Sequence, residues 1–195
     1  DNTTNKNDIS QLKQTATEVS STLETVQTQV QNSAVGTNLL IGTAKIEFPL
    51  PGSNGGTQTI QKYDDGTNYI QHTSDIPIDY IGPWWPLTPE VGQVYTLSAD
   101  VCGNGYIQGE LFHYKGGDNG SLGRVDLTDD WQRISNTFRV NAISGSWHIY
   151  ANNSTLLKIK HIKIEKGSLA TDWCPNPADN ATVTALSSLS QTVDG

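Results

Sequence analysis

The chain has 195 residues, a formal net charge of −8 and only 16% charged residues, with 18 Gly, 8 Pro, 5 Trp and 7 Tyr. So acidic a chain lacks the dense Lys/Arg patch that phosphate-backbone recognition needs, which excludes nucleic acid as a partner, and no run approaches the roughly 18 to 20 apolar residues of a membrane span. The Gly-, Pro- and aromatic-rich composition is that of a turn-rich β domain, and the lack of any Met makes Asp1 read as the start of an excised piece.

Residues 1–7 are polar and read as frayed, and Asp8 is placed to cap a helix. Ile9, Leu12, Ala16, Val19, Leu23, Val26 and Val30 then recur at alternating steps of three and four, an unbroken heptad seam that Val35-Gly36 ends. A lone helix of this kind is marginal in water, so the seam calls for cover, either from partner helices or from the chain's own domain. Partner helices are the expected cover. β-branched residues at both kinds of core position disfavour the parallel dimer and point to a homotrimer. The Thr-, Ser- and Gln-rich outer face adds little helix propensity, so association has to stabilise the coil.

From about Asn38 the signals become strands. Tyr95, Leu97, Ala99 and Val101 alternate with Thr96, Ser98 and Asp100, and Ile134, Phe138 and Val140 alternate with Arg133, Ser135, Thr137 and Arg139. Each run predicts a half-buried antiparallel strand. Ser146 to Ala151 sets Trp147 and Ile149 on one face against His148 and Tyr150 on the other. Between Leu157 and Lys166 the apolar phase jumps from Leu157 and Ile159 to Ile162 and Ile164, which predicts a β-bulge near Lys160-His161. Turns are expected at Gly116–Gly120, Thr128–Asp130 and Asn152-Asn153, and Trp131, Phe138 and Trp173 are assigned to the core. After Pro175 and Pro177, heptad spacing resumes at Leu186, Leu189 and Val193. The expected organisation is therefore a coiled-coil stalk over 1–36, a β-sandwich over 37–177 and the start of a second helical stalk over 178–195.

Cys102 and Cys174 are consistent with one disulfide or with free thiols. No nucleophile elbow, zinc-protease motif or phosphate-cradling loop is present, and the spacing of Asp100, Glu110, Asp126 and Glu165 marks no glycosidase pair, so the chain is read as a non-enzyme. His72, His113, His148 and His161 show no tight ligand spacing, and no metal or other cofactor is expected from them.

The richer chemistry is aromatic. In Tyr80-Ile-Gly-Pro-Trp84-Trp85-Pro-Leu-Thr-Pro89, two adjacent indoles are flanked by prolines that should keep the segment out of a central strand. Rigid aromatic faces suit the C–H faces of sugar rings while Asp, Asn and His bond the hydroxyls, although both indoles plugging one end of the sandwich remains the alternative. The candidate carbohydrate-binding residues are Trp84, Trp85 and Tyr80, with His113, Tyr114, His148, Tyr150 and Asp100.

Three segments together carry a resemblance: Asn38-Leu-Leu-Ile-Gly-Thr43 directly after the heptads, Trp131-Gln-Arg-Ile-Ser-Asn-Thr-Phe138, and Ile162-Lys-Ile-Glu-Lys-Gly-Ser-Leu-Ala-Thr-Asp-Trp173 with Pro175-Asn-Pro177. Over about residues 8 to 180 the chain resembles the carbohydrate-binding-module-like domains in tail and baseplate proteins of phages infecting streptococci, lactococci and lactobacilli. The resemblance implies an all-β fold, a jelly-roll-like antiparallel β-sandwich with an N-terminal coiled-coil helix and a short C-terminal helix. It also implies a virion location at the tail tip or baseplate, other tail proteins as partners, and docking on host cell-wall or surface polysaccharide. A tail-fibre spacer without sugar binding and a polysaccharide depolymerase are the rival expectations. Related modules often open with Asn-Gly-Asp-Phe-Glu and hold a structural calcium, whereas this chain reads Ile41-Gly-Thr-Ala-Lys-Ile-Glu47; Glu47 and Glu165 are the acids that would be left to contribute.

Overall fold

The computed structural model describes residues 2–33, 36–47, 52–87, 89–113, 120–141 and 145–179; within these, the side chains of 2–3, 23–33, 52–54 and 85–87 are not described. Two compact units divide the chain, one over 1–34 and one over 35–195.

The first unit is helix α1, Asn2–Ser33. It begins six residues before the expected cap at Asp8, because nothing in the polar leader, which has neither Gly nor Pro, breaks a helix. Along the seam Ile9 is 52%, Leu12 70% and Val19 60% exposed. None of the described helix is long and apolar enough to cross a membrane.

The second unit is an antiparallel β-sandwich. Its larger sheet runs β2 (Thr57–Lys62), β3 (Asn68–Ile78), β11 (Ser154–Lys166), β5 (Val94–Gly103), β9 (Gln132–Arg139) in spatial order. The smaller runs β1 (Gly52–Asn54), β4 (Gly82–Leu87), β10 (Gly145–His148), β7 (Phe112–His113), and β6 (Tyr106–Gly109) pairs with β8 (Leu122–Asp126) in a two-stranded ribbon. The core forms where the two inner faces meet. Ile70, Leu97, Ile134, Phe138, Ile159 and Ile164 of the larger sheet pack with Phe112 and Trp147 of the smaller. The Phe112 and Phe138 rings stack with centroids 3.9 Å apart.

The expected bulge is present. Lys160 pairs with Asp100 and Lys163 with Ser98, so His161 and Ile162 together face Ala99 alone, and His161 takes a left-handed conformation with φ of 51°. The shift returns Ile162 and Ile164 to the core after Leu157 and Ile159.

Three expectations are corrected. β5 is buried on both faces, because the segment that follows β11 lies over its outer face, where the Gly167 carbonyl accepts from Thr96 Oγ1 at 2.9 Å, while Leu39 N donates to the Ile164 carbonyl at 2.8 Å along the edge of β11. Asn38 staples these segments, donating to the carbonyls of Ile162 at 3.0 Å and Cys174 at 3.1 Å. Residues 82–87, with their prolines, form β4, paired on both sides instead of looping free. Pro83 still accepts from Ile149 N at 3.1 Å, and β1 reaches only as far as Trp84, so the missing proline N–H groups cost few ladder bonds.

Trp131 and Trp173 are half-buried on the outer face of the larger sheet, while Phe138 is in the core as expected. Trp131 meets Tyr63 and Tyr69 edge-on around the Lys160 ammonium, which lies 3.3 Å from the Tyr63 ring centroid. Of the alternatives left open for Cys102 and Cys174, the structure has both as free thiols. The C-terminal segment is helical over 177–179, and 180–195 lie outside the described residues, as do most of the expected turn at 116–120 and Tyr114.

Gly82 sets the course of β4. Its φ is 150°, and an added Cβ would lie 2.0 Å from the Ile149 carbonyl oxygen, so only glycine lets the two backbones pass this closely.

Candidate functional site

The alternation in β10 places the site. Trp147 points inward and is fully buried, which turns its neighbours Ser146 and His148 to the outer face of the smaller sheet. There a cleft of about 410 Å³ is lined by Tyr80, Gln108, Gly109, Glu110, His113, Ser146, His148, Tyr150 and Asn152. Its aromatic wall is continuous. The His148 ring stacks on Tyr150 with centroids 4.4 Å apart and planes at 15°, and Tyr80 meets Tyr150 edge-on at 6.3 Å. Tyr80 is 58% exposed and held in a left-handed conformation, φ 61°, with its backbone N–H donating to Asn152 Oδ1 at 3.3 Å.

The facing polar group is Glu110, whose Oε1 lies 2.6 Å from His113 Nδ1. Burial pushes the His148 imidazole below its ordinary pKa, partly opposed by Glu110, so this ring is neutral at pH 7. Burial likewise pushes the Tyr150 phenol up, and it keeps its proton. The cleft thus offers flat aromatic surface, the neutral Tyr150 hydroxyl and His148 imidazole, and one carboxylate whose oxygens can each accept further bonds.

Of the residues singled out from sequence, the fold brings Tyr80, His113, His148 and Tyr150 together. Trp84 pairs with His148 in register and is half-buried beside them, and Trp85 pairs with Trp147, its side chain lying outside the described residues. Asp100 does not join them. It sits on the outer face of the larger sheet in a second cleft of about 370 Å³, with Arg133, His161, Ala170, Thr171, Asp172 and Trp173. Arg133 Nη1 donates to Asp100 Oδ1 at 3.0 Å and His161 Nδ1 lies 2.7 Å from Oδ2; these partners hold the carboxyl below its ordinary pKa against the opposing effect of burial.

Gln108, Ser146 and Asn152 were not foreseen, and nothing in their spacing marks them. The Glu110–His113 pair three residues apart was a legible signal. Of the acids left open for calcium, Glu47 is exposed, and Glu165 accepts from Gly36 N at 3.0 Å and Thr171 N at 2.8 Å beside Lys163.

A comparison with protein-family models and with curated proteins gives no match. Solved structures similar to this chain include a CBM4 module, at 15% identity over 66% of this chain and 100% of that one, with a TM-score of 0.46. The CBM22-1 xylan-binding domain from Paenibacillus barcinonensis is similar at 14% identity, over 61% of this chain and 86% of that one, TM-score 0.45. The tripod from the baseplate of bacteriophage Tuc2009 is similar at 18% identity, over 73% of this chain and 59% of that one, TM-score 0.43.

Proposed function

We propose that this protein is a non-catalytic saccharide-binding head of a phage tail appendage, which docks on polysaccharide of the host cell surface. The observation that carries the reading is the Tyr80–Tyr150–His148 wall facing Glu110 across an open cleft: apolar faces for sugar rings opposite acceptors for their hydroxyls. The acids singled out for a depolymerase do not share a cleft: Glu110 lines the first, Asp100 the second, and Glu165 has no exposed surface. Glu110 pairs with His113, Asp126 with Arg124, and Asp100 with Arg133. The three resembling segments support the phage context.

Tyr150→Ala removes the centre of the wall and should weaken binding to host surface polysaccharide about tenfold, or about 1.4 kcal/mol. Titration calorimetry with polysaccharide stripped from host cells reads this, with near-UV circular dichroism as the check on folding. Undiminished affinity in a folded variant would remove the cleft from the site and favour a spacer role.

The uncovered seam supports a trimeric assembly, which would raise weak single-site affinity through multivalency. Mass measurement in solution should give three copies, and Leu12→Asn with Val19→Asn should give one. A monomeric unmodified chain at micromolar concentration would end the stalk reading.

A further inference from the structure

The second cleft repeats the chemistry of the first. His161 stacks on Trp173 with centroids 4.4 Å apart and planes at 18°, as His148 stacks on Tyr150 at 4.4 Å and 15°. In each cleft a carboxylate sits against an imidazole: Asp100 Oδ2 is 2.7 Å from His161 Nδ1, and Glu110 Oε1 is 2.6 Å from His113 Nδ1. Each cleft also contains a non-glycine residue at positive φ, Tyr80 at 61° and His161 at 51°. Such conformations carry a backbone cost and persist where the surrounding structure imposes them, often at binding sites. Here the bulge in β11 re-aims His161 out of the strand's alternation and onto Trp173.

From this repetition we infer that the cleft formed by Asp100, Arg133, His161, Asp172 and Trp173 is a second saccharide site, on the opposite face of the sandwich from the first.

The charges in this cleft define the ligand class. Asp100 is matched by Arg133 at 3.0 Å, so an ionic ligand would have to break a pair already made. A neutral polyol need not. The Asp100 oxygens, each bonded once to Arg133 or His161, retain acceptor capacity, Asp172 is exposed at the rim, and the half-buried Trp173 indole supplies the apolar wall. The cleft therefore takes uncharged, hydroxyl-rich sugar units in preference to uronic acids or phosphosugars. Sites on opposite faces would let one head engage two neighbouring glycan chains, so that the second contact forms at high effective concentration.

The test is an NMR titration of the isotope-labelled full chain with a panel of neutral tetrasaccharides, cellotetraose, xylotetraose and galactotetraose, to millimolar concentration. Ala170→Arg plugs the second cleft from a wall position outside the Asp100 network, and Asp172→Ala serves as a milder second variant. The expected result is shifts in two separate sets. One set comprises His161 and Ala170–Trp173, is abolished by Ala170→Arg and is weakened severalfold by Asp172→Ala. The other comprises His148 and Tyr150 and is abolished by Tyr150→Ala.

Shifts confined to the first cleft overturn the inference and leave the proposed function standing. Shifts confined to the second support the inference and overturn the assignment of the first. Shifts at neither overturn both. A second set that survives Ala170→Arg unchanged, in a variant whose remaining spectrum overlays the parent, also overturns the inference.

Discussion

Glu165→Ala will destabilise the sandwich by about 4 kcal/mol, because it leaves the buried Lys163 ammonium without its counter-charge. Both side chains have no exposed surface, and the ammonium lies 3.6 Å from Glu165 Oε2. The carboxylate does more than offset a charge. It accepts from Gly36 N at 3.0 Å, Thr171 N at 2.8 Å and Thr171 Oγ1 at 2.7 Å, so it ties the segment entering the sandwich and the segment leaving it to β11. Buried donors left without an acceptor cost about 1–3 kcal/mol each, which adds to the unpaired charge.

Lys163 keeps its bonds to Thr171 Oγ1 at 2.6 Å and the Asp172 carbonyl at 2.7 Å, and these prevent a larger loss. The double variant Lys163→Met with Glu165→Gln removes the charge while keeping an acceptor for the Thr171 and Gly36 amides, and should return to within about 1.5 kcal/mol of the parent. All 5 tryptophans lie in the second unit, so urea unfolding followed by tryptophan fluorescence reports the sandwich free of any helix signal. Equal losses in Glu165→Ala and in the double variant would show that the charge pair is not what this staple depends on.

The staple also shows what the sequence could and could not disclose. Asn38–Thr43 and Ile162–Trp173, two of the segments that carried the resemblance, meet in space. Asn38 Nδ2 donates to Thr43 Oγ1, and Asn38 Oδ1 accepts from Ile164 N at 3.3 Å. That they matter was readable from residue identity. That the chain beyond β11 covers the outer face of β5 was not, since period-two alternation reports which residues share a face and says nothing about a strap such as the one that brings Gly167 onto Thr96, 71 positions apart.

The bulge was legible because inserting one residue inverts the apolar phase along a single strand, a purely local signature. β4 was misread because its prolines were weighed without knowing how short its neighbours are. The first cleft was partly legible, as the outward pair His148 and Tyr150 follows from the burial of Trp147 and Glu110 stands three residues before His113, whereas only topology brings these two pairs and Asn152 together. The second cleft is assembled from β5, β9, β11 and the strap, and of its residues only Asp100 had been singled out as a ligand. Its key side chain, His161, lay in the one stretch where alternation fails, so no facing could be assigned to it.

Lowering the pH from 7 to 4.5 will cost the sandwich about 2.4 kcal/mol through one side chain, His72. It lies on β3 in register with Gln58 and Leu157, fully buried, and among the described residues neither ring nitrogen has a hydrogen-bond partner. Burial lowers its pKa from 6.5 to about 4, since the cation would lose its hydration with nothing in exchange. The unfolded chain takes up this proton near pH 6.5 and the folded chain does not until near pH 4. The stabilisation is therefore complete above 6.5 and is lost as pH falls through the window, at about 1.4 kcal/mol per unit.

His148, with its pKa also lowered, adds loss in the same direction. Asp65, lowered from 3.8 to about 2, acts only below this range. Urea unfolding at intervals between pH 7 and 4.5 gives the slope directly. His72→Leu should flatten it by about one proton while leaving the slope due to His148 in place, because leucine fills the site without a titrating group and removes an unsatisfied buried imidazole. A variant that retains the full slope would move the acid sensitivity to another residue. A parent chain whose stability stays level between pH 6.5 and 4.5 would mean that the ring is protonated or hydrogen-bonded in its buried position.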